Sequence, residues 1–565
     1  MNDNTLSYAG FTIGPINDVL KHARKTREMW FGSYFLSWYM EEFERELQKN
    51  NKINFLTPFI EKKENDRRAG LYPDRFVLTS EQSSDEVLNL IEKAGDETRK
   101  FFVDLIKGLD GKYGIKFFAK TDVDKILNGF LQTNIVVLPA DGIQEDNAIE
   151  KFWNYLDATE EHRHFTLGKS EETCQRCKTL PSVATAEVMD GEKEKIWKLC
   201  PLCLLKLFAL EIVDVQNKVS GRHRYPSTGE ISAVELIEEY RTEDGWYRGS
   251  LKKYLEKHDE IDFNDKEFIE IVKNNTKIRC QEIKPYHKYI AILNADGDGI
   301  GNLVKKESES LQTSEMGNYI NEFSKKLFQS GVDNFDLCSS YSSSVKDIGE
   351  PIYVGGDDVL AFLPVAYHTS DKRITTIIDV ALALNTKFKE LLGQDVGLSI
   401  GISIAYYKHP LAVTLEKSRE MLFGIAKNQV GRDTLAIHLK KHSGNDAQVI
   451  FSFREPERLG QFNGLLKAIL LSEEDLMGSI HYNLLRFKNL LIHIETTEQL
   501  TNFFDNNFSD QLKSGYTGID YVKRMFELAL GLDMRCSPVT DQKKAVKDVL
   551  DQLWFIKFLA GKEEE

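Results

Sequence analysis

The spacing of apolar residues divides the chain into segments of different predicted structure. Residues 6–12 read as a short strand, and apolar residues then recur at helical intervals after Pro15, which suits the first turn of a helix. A row of β-branched residues predicts another strand at 134–140. Residues 215–285 are polar and charged with mostly helical spacing, and the spacing is helical again from about residue 452 to the end.

The segment between these helical regions has a more specific pattern. An apolar strand over 288–301 ends in a Gly-Asp turn and is followed by a predicted helix, "NYINEFSKKLF". A hairpin around Gly355 and Gly356, a helix near 370–392, the strand "VGLSIGISIAYY" and the helix "LAVTLEKSREMLFGIAKN" come next. This β-α-β-β-α-β order is the ferredoxin-like pattern, so we predict an α+β fold.

Bulk composition limits the possible classes of protein. The chain has 565 residues, which suggests three or four domains, and 41% hydrophobic and 28% charged residues, as in ordinary globular proteins. The sequence contains no apolar run of membrane-spanning length and no secretory signal at its start, so we predict a cytoplasmic protein without a membrane span. A net charge of -15 argues against coating of naked nucleic acid, but leaves RNA binding through basic patches or partner subunits open.

Two basic segments have an ambiguous role. Lys21, Arg24, Lys25 and Arg27 share one predicted helix, and residues 62–68 read "KKENDRR". Either segment could face RNA or a partner subunit, although such runs are more often solvated surface.

Two acidic turns carry the main candidate chemistry. Asp296 and Asp298 end the first strand of the ferredoxin-like segment, and Asp357 and Asp358 lie at the tip of its hairpin. The strand order predicts that these four carboxylates converge, which would be costly without compensating cations. Two Mg²⁺ (or Mn²⁺) ions held by carboxylates are the apparatus of in-line phosphoryl transfer.

Simpler interpretations exist for each turn alone. "GGDD" is commonly a solvated turn. "DGDGIG" resembles a calcium loop, but Lys305 stands where an EF-hand needs a bidentate Glu, and a strand precedes the loop. We therefore set the calcium loop aside.

Basic residues follow the last helix of this segment. Lys427 and Arg432 lie before a predicted strand, where they could hold triphosphate oxygens or simply face solvent. The chain contains no Walker A sequence, which excludes phosphate binding by that loop.

Four of the seven cysteines form two CxxC pairs, Cys174 with Cys177 and Cys200 with Cys203. The gap between the pairs is slightly longer than in common zinc ribbons, but the double pair predicts one Zn²⁺ ion held by four thiolates. Such a site has no open coordination position, so the zinc would be structural. The alternative is four unligated buried cysteines.

Several motifs together resemble one known family. "ADGDGIG", "YVGGDDVLAFLP", "LSIGISIAYYKHPL" and "AKNQVGRDTLAIHLKKHSG" are similar to the catalytic palm of the large polymerase-cyclase subunit of type III-B CRISPR RNA-guided effector complexes. "FTIGPINDVLKHARKTREMWFGSYFLSW" and "GLYPDRF" are similar to its first, non-catalytic palm. The resemblance implies two ferredoxin-like palms, a zinc module and helical domains.

The resemblance also implies an activity. Pairing of target RNA with guide CRISPR RNA would activate the complex, and the palm would join ATP molecules into a second messenger, usually cyclic oligoadenylate, for antiviral defence. Asp357, Asp358 and Asp296 would hold magnesium. The nucleotide-binding residues would be Gly355, Gly356, Asp298, Gly299, Lys427, Arg432 and Asp74. Other subunits of the complex would be partners.

The corresponding domain boundaries follow from the pattern. We expect a first palm with its zinc module over 1–214 and a helical domain over 215–285. The catalytic palm would cover 286–451 and a C-terminal helical domain 452–565.

Two departures from the family pattern matter. Many relatives begin with an HD nuclease domain, whereas the one His-Asp pair here is His258-Asp259, so we predict no DNase activity. Relatives commonly read "PNRF" where this chain reads "PDRF", with Asp74 replacing a neutral amide. A subset of the family condenses ATP with S-adenosylmethionine, which is cationic, and Asp74 could favour it. Alternatively, Asp74 caps a helix or pairs with Arg75.

Two rival functions remain. A non-catalytic scaffold would have no need for the "GGDD" charge cluster. A stand-alone diguanylate-type cyclase would lack the helical C-terminal region and the "FTIGP" first palm.

Overall fold

The protein is described by a computed structural model. It describes residues 6–59, 69–70, 72–119, 122–139, 154–159, 172–190, 193–209, 212, 225–242, 246–258, 260–275, 281–301, 303, 313–341, 347–370, 373–472, 477–509, 518–533, 539 and 541–560. The basic segment at 62–68, Asp259, Cys280 and Cys536 lie outside these residues.

The first palm is a four-stranded antiparallel sheet in the order β2-β3-β1-β5. That is the ferredoxin-like order, with β1 between β3 and β5. The strands are β1 (Ser7–Gly14), β2 (Ile53–Thr57), β3 (Arg75–Ser80), the short β4 (Lys116–Phe117) outside this sheet, and β5 (Gln132–Pro139). The helices are α1 (Ile16–Lys21), α2 (Thr26–Leu47), α3 (Ser84–Lys107) and α4 (Val123–Phe130). The single helix expected after Pro15 is interrupted between α1 and α2.

A small three-stranded sheet in the order β4-β6-β7 extends the first palm and carries the cysteine pairs. Its elements are β6 (Ala184–Asp190), β7 (Lys193–Leu199) and α5 (Pro201–Leu207). A helical segment follows, in which the described residues contain no strand, as expected. Its α-helices are α6 (Thr228–Ser232), α7 (Val234–Ile237), α8 (Gly249–Lys257) and α9 (Lys266–Lys273).

The second palm is a six-stranded sheet in the order β15-β14-β13-β8-β10-β9. Strands β13-β8-β10-β9 reproduce the ferredoxin-like order, which confirms the predicted α+β fold. The six strands are β8 (Tyr289–Asp298), β9 (Glu350–Val354), β10 (Val359–Pro364), β13 (Gly397–Tyr406), β14 (Thr434–Lys440) and β15 (Asp446–Ser452). Strands β11 (Ala366–Ser370) and β12 (Arg373–Thr376) form a separate two-stranded sheet. The helices are α10 (Thr313–Ser340), α11 (Ile377–Leu392) and α12 (Leu411–Arg419), and α12 continues as a π-helical segment, Glu420–Lys427.

The helix expected near 370–392 begins later than the spacing suggested. Strands β11 and β12 form a hairpin first, and α11 starts at Ile377. The β-branched run at 374–376 favours a strand, and Thr376 and Asp379 form a reciprocal capping box that fixes the helix start.

The C-terminal helices share one hydrophobic core with the second palm. Leu398 and Ile400 of β13 belong to the same buried cluster as Phe462, Phe526 and Phe555 of these helices. The helices are α13 (Pro456–Leu471), α14 (Met477–Arg486), α15 (Lys488–Leu491), α16 (Thr497–Asn507), α17 (Gly518–Ala529) and α18 (Gln542–Ala560). No described helix is long and apolar enough to cross a membrane.

The first palm contacts both an edge and a face of the second sheet. Gly70 of the first palm forms a parallel bridge with Tyr353 of β9, and the Val354 amide donates a hydrogen bond to the Gly70 carbonyl at 3.1 Å. We call this contact the inter-palm bridge. Ile352 and Phe362 belong to the buried cluster of the first palm, so one face of the second sheet is covered by the other domain.

Close backbone approach holds the helix α12 segment on the second sheet. A Cβ atom at Gly401 in β13 would lie 2.3 Å from the Leu422 nitrogen and 2.4 Å from the Ser418 carbonyl oxygen. Because backbone atoms cannot move aside as a flexible side chain can, only glycine fits here.

Replacement of Gly401 by alanine tests this approach. We expect Gly401→Ala to destabilise the fold by about 1–3 kcal/mol through overpacking, measured as a lower unfolding temperature. Gly460→Ala in α13 is the matched control, since its Cβ meets nothing within 4 Å. Alanine there should stabilise the helix slightly. Equal effects of the two substitutions would contradict the packing argument.

Candidate functional site

The two acidic turns lie side by side. Strand β8 pairs with β10 in antiparallel register, with Ala295 opposite Val359, so the end of β8 reaches the tip of the hairpin. A Cβ atom at Gly297 would lie 2.9 Å from the Asp357 Cβ atom. Glycine at this position therefore lets the turns approach closely. We call Asp296, Asp298, Asp357 and Asp358 the acidic cluster.

The hairpin tip needs both of its glycines. The Gly355 amide donates to the Asp358 carbonyl at 2.9 Å, which closes the turn. A Cβ atom at Gly355 would lie 1.9 Å from the Tyr353 hydroxyl, and Gly356 has a φ of 89° that L side chains rarely adopt. The tip also rests on α10, where the Asn334 side chain donates to the Gly356 carbonyl at 3.4 Å.

The cluster disfavours its own ionisation. Asp357 is half-buried and Asp358 is exposed, and the protein groups around both carboxyls reduce their hydration. This desolvation, together with repulsion from Asp296, raises the pKa of Asp357 to about 6. Desolvation and repulsion from Asp357 raise the pKa of Asp358 well above its usual range. Asp74 adds to the repulsion on both carboxyls, so the structure places it within electrostatic reach of the hairpin tip.

Lys427 provides a positive charge inside the cluster. It ends the π-helical segment, and its ammonium contacts Asp296 Oδ1 and donates to the Gly297 carbonyl at 3.0 Å. Asp298 Oδ1 lies 3.5 Å from the same ammonium and has no hydrogen-bond partner, although Asp298 is buried. We call these three oxygen atoms the oxygen cradle.

A buried network that the sequence analysis missed orients Asp298. Its Oδ2 accepts hydrogen bonds from the Ser399 hydroxyl and from the Asp433 amide, the latter at 2.8 Å. The Asp433 carboxylate in turn accepts from Asn385 at 2.9 Å and Lys389 at 2.8 Å. The available signal was Ser399, one of two buried serines in the otherwise mostly apolar strand β13.

The residues of the second palm fit a hard divalent cation by their chemistry. The donor set consists of carboxylates and one backbone carbonyl, which Mg²⁺ prefers, and a cation would satisfy the orphaned Asp298 oxygen. Among the described residues, the four paired cysteines form a group whose ligand atoms all lie within 4.8 Å of one another, whereas the aspartates do not form such a group. The aspartates are thus more widely spaced, with the Lys427 ammonium among them.

The other predicted nucleotide-binding residues are placed differently. Gly299 follows the acidic turn with a φ of 80° and open space around it. Arg432 is exposed. Among the described residues, the ion pairs at Asp296 and Asp298 are made by Lys427 and not by Arg432. Asp74 precedes strand β3, so the helix-cap alternative is wrong, and its Oδ2 lies 4.0 Å from Arg75 Nε.

The four paired cysteines converge as predicted. Their sulfur atoms all lie within 4.8 Å of one another, and the Cys177 and Cys200 sulfurs are 3.8 Å apart. A tetrahedral zinc with bonds of about 2.3 Å requires sulfur separations of about 3.8 Å. Burial raises the pKa of the Cys200 thiol, so ionisation of all four sulfurs needs a bound cation. The four cysteines therefore fit structural zinc.

The cysteine module is anchored on the start of α2. Arg176 forms a buried ion pair with Glu28, and the guanidiniums of Arg176 and Arg24 lie 5.2 and 5.6 Å from the centroid of the Trp197 ring. Part of the basic run at 21–27 thus has a structural partner. His258, which belongs to the sequence's His-Asp pair, stacks on Tyr254 with centroids 4.5 Å apart.

Comparison with known proteins gives consistent matches. The family described as Cas10/Cmr2, second palm domain, matches residues 289–436, and the family CRISPR-associated protein Cmr2, N-terminal, matches residues 8–107. The CRISPR system Cmr subunit Cmr2 of Pyrococcus furiosus is 30% identical over an alignment of 292 residues, and the match covers 44% of this chain and 32% of the relative. The match therefore spans about a third of that relative's length.

Two solved structures show the same fold. A type III-B Cmr-beta structure in the apo state has a TM-score of 0.59 and 14% identity, and covers 99% of this chain and 82% of that chain. A type III-B Cmr-beta structure bound to cognate target RNA has a TM-score of 0.56 and 13% identity, with coverages of 99% and 83%. Residues 289–436 thus match the second palm domain of the Cas10/Cmr2 family and residues 8–107 match the Cmr2 N-terminal domain, which confirms the resemblance seen in the motifs.

The raised pKa of Asp357 predicts a pH-dependent effect on stability. The folded chain binds this proton more tightly than the unfolded chain, because the pKa rises from 3.8 to about 6. The ionised carboxylate thus opposes folding above about pH 6, and this penalty fades as the pH falls through 6 towards 3.8. We expect Asp357→Asn to raise the unfolding temperature of metal-free protein at about pH 7.5, and to raise it less at about pH 4.5. Asp336→Asn, exposed on α10, should have little effect at either pH.

Loss of one thiolate tests the zinc site. We expect Cys200→Ala to lose the bound zinc and to unfold at a lower temperature, because binding of a structural metal contributes directly to folding free energy. The zinc content of the purified protein would be measured by elemental mass spectrometry. Cys338→Ala, at a buried cysteine away from the four, should keep its zinc. Retention of zinc by the Cys200 variant would contradict the assignment.

Proposed function

We propose that this chain is the nucleotidyltransferase subunit of a type III-B CRISPR effector complex and makes a nucleotide second messenger from ATP. The convergence of two acidic turns beside the inter-palm bridge is the observation that supports this proposal. Other subunits of the complex, guide CRISPR RNA and target RNA are its proposed partners. The Cmr-beta relative bound to cognate target RNA supports the last of these.

Each part of the site has a proposed role. Asp296, Asp357 and Asp358 would hold Mg²⁺ (or Mn²⁺), with the Asp298 Oδ1 atom and the Gly297 carbonyl as further oxygen ligands. Bound divalent ions supply activation of the attacking hydroxyl and charge stabilisation at the leaving pyrophosphate. Because Gly355, Gly356 and Gly299 have no side chains, a triphosphate could approach the backbone closely at these positions. Lys427 would hold phosphate oxygens. Arg432, which is exposed, would contact them from the surface.

The second candidate function is a non-catalytic scaffold of the guide-RNA complex. The raised pKa values of Asp357 and Asp358 argue against it, because a scaffold gains nothing from a cluster that destabilises its own fold.

A double substitution separates the two functions. The assembled complex with guide and matching target RNA would receive labelled ATP and magnesium, and products would be identified by mass spectrometry. We expect the complex to make a nucleotide product and the Asp357→Ala, Asp358→Ala variant to lose it by at least about a hundredfold, because removal of metal ligands removes transition-state charge stabilisation. An unchanged product would refute catalysis by this palm.

The position of Asp74 leaves two products in competition. Its charge near the hairpin tip would favour a cationic co-substrate such as S-adenosylmethionine over a second ATP molecule. We expect an ATP–S-adenosylmethionine adduct to form when both are supplied, and Asp74→Asn to shift the product towards cyclic oligoadenylate. Asp157→Asn, which removes the other carboxylate bound to Arg75, is the control. Cyclic oligoadenylate alone from both proteins would make Asp74 a local structural residue.

A further inference from the structure

The oxygen cradle already holds a cation, and that cation is part of the protein. The Lys427 ammonium lies among Asp296 Oδ1, the Gly297 carbonyl at 3.0 Å and Asp298 Oδ1 at 3.5 Å. These are the same oxygen atoms that a divalent ion would use. One ammonium and one divalent ion cannot occupy the cradle together, because like charges at contact distance repel strongly.

A second group that can hold the ammonium lies next to the cradle. It is the last residue of a π-helical segment, a rare conformation that is common at functional sites. Its ammonium lies 5.9 Å from the ring centroid of Phe423, one turn earlier, and this ring is 40% exposed. The ammonium can therefore leave the cradle and still rest on a partly exposed aromatic face.

We propose that Lys427 is an exchangeable counter-ion that couples divalent-cation binding to nucleotide binding. Without metal, the ammonium neutralises Asp296 and is withheld from the cleft. Entry of a divalent ion displaces the ammonium towards the triphosphate, where the same positive charge is reused. Each ligand thus strengthens binding of the other, as thermodynamic linkage requires. This inference rests on the proposed function, since it takes a nucleoside triphosphate as the second ligand.

Removal of the ammonium should strengthen divalent-cation binding rather than weaken it. In the full chain, Lys427→Met should bind Mn²⁺ alone about tenfold more tightly than the unmodified protein, because nothing competes for the cradle. Mn²⁺ binding would be measured by electron paramagnetic resonance. Lys417→Met is the matched control on the same helix, since Lys417 pairs with Glu420 and should leave Mn²⁺ affinity unchanged. Equal or weaker Mn²⁺ binding by Lys427→Met would overturn the proposal.

A second measurement needs no substitution. The Mn²⁺ affinity of the unmodified protein should rise about tenfold when α,β-methylene ATP, which cannot release pyrophosphate, is added. The rise should shrink in Lys427→Met and persist in Lys417→Met. Binding of both ligands without any mutual effect would overturn the exchange while leaving the proposed function intact. Failure of the unmodified protein to bind either ligand would instead refute the proposed function and the exchange with it.

Discussion

Mutual repulsion among the four carboxylates of the acidic cluster is the constraint around which the second palm is arranged. Gly297 removes the side chain that would keep the turns apart, and Gly355 and Gly356 close the hairpin above Tyr353. The buried network of Ser399 and Asp433 fixes one carboxylate, and Lys427 offsets the charge that remains. Holding these negative oxygens together costs folding free energy that such contacts offset only in part, as is common at functional sites.

The first palm contributes to the same arrangement from outside. Its Gly70 carbonyl accepts a hydrogen bond from Val354, the last residue of β9 before the hairpin turn, and Asp74 adds its charge from the same segment. Helix α2 buries its aromatic face and carries Glu28, which pairs with Arg176 of the cysteine module. Helix α2 therefore contacts both the cysteine module and strand β9, which leads into the acidic hairpin.

The strand order and the meeting of the acidic turns could be predicted from sequence because both depend on local patterns. Apolar runs of strand length, Gly-Asp turns and CxxC pairs each lie within a few residues. The position of Lys427 could not be predicted, since its contact with Asp296 joins residues 131 positions apart. The Asp433 network and the inter-palm bridge could not be predicted either, because they too join residues far apart in the sequence. The start of α11 was predicted too early, because the strand-favouring residues before it also fit helical spacing.

The shared core of the second palm and the C-terminal helices has a consequence for how this chain can vary. The sequence pattern becomes helical near residue 452, but the buried cluster continues across this point. Phe451 of β15 packs against Phe462 of α13 with ring centroids 4.8 Å apart. The sheet and the helices from β8 to α18 therefore form one packing unit, and a buried substitution in either half must fit the side chains that the other half presents to it.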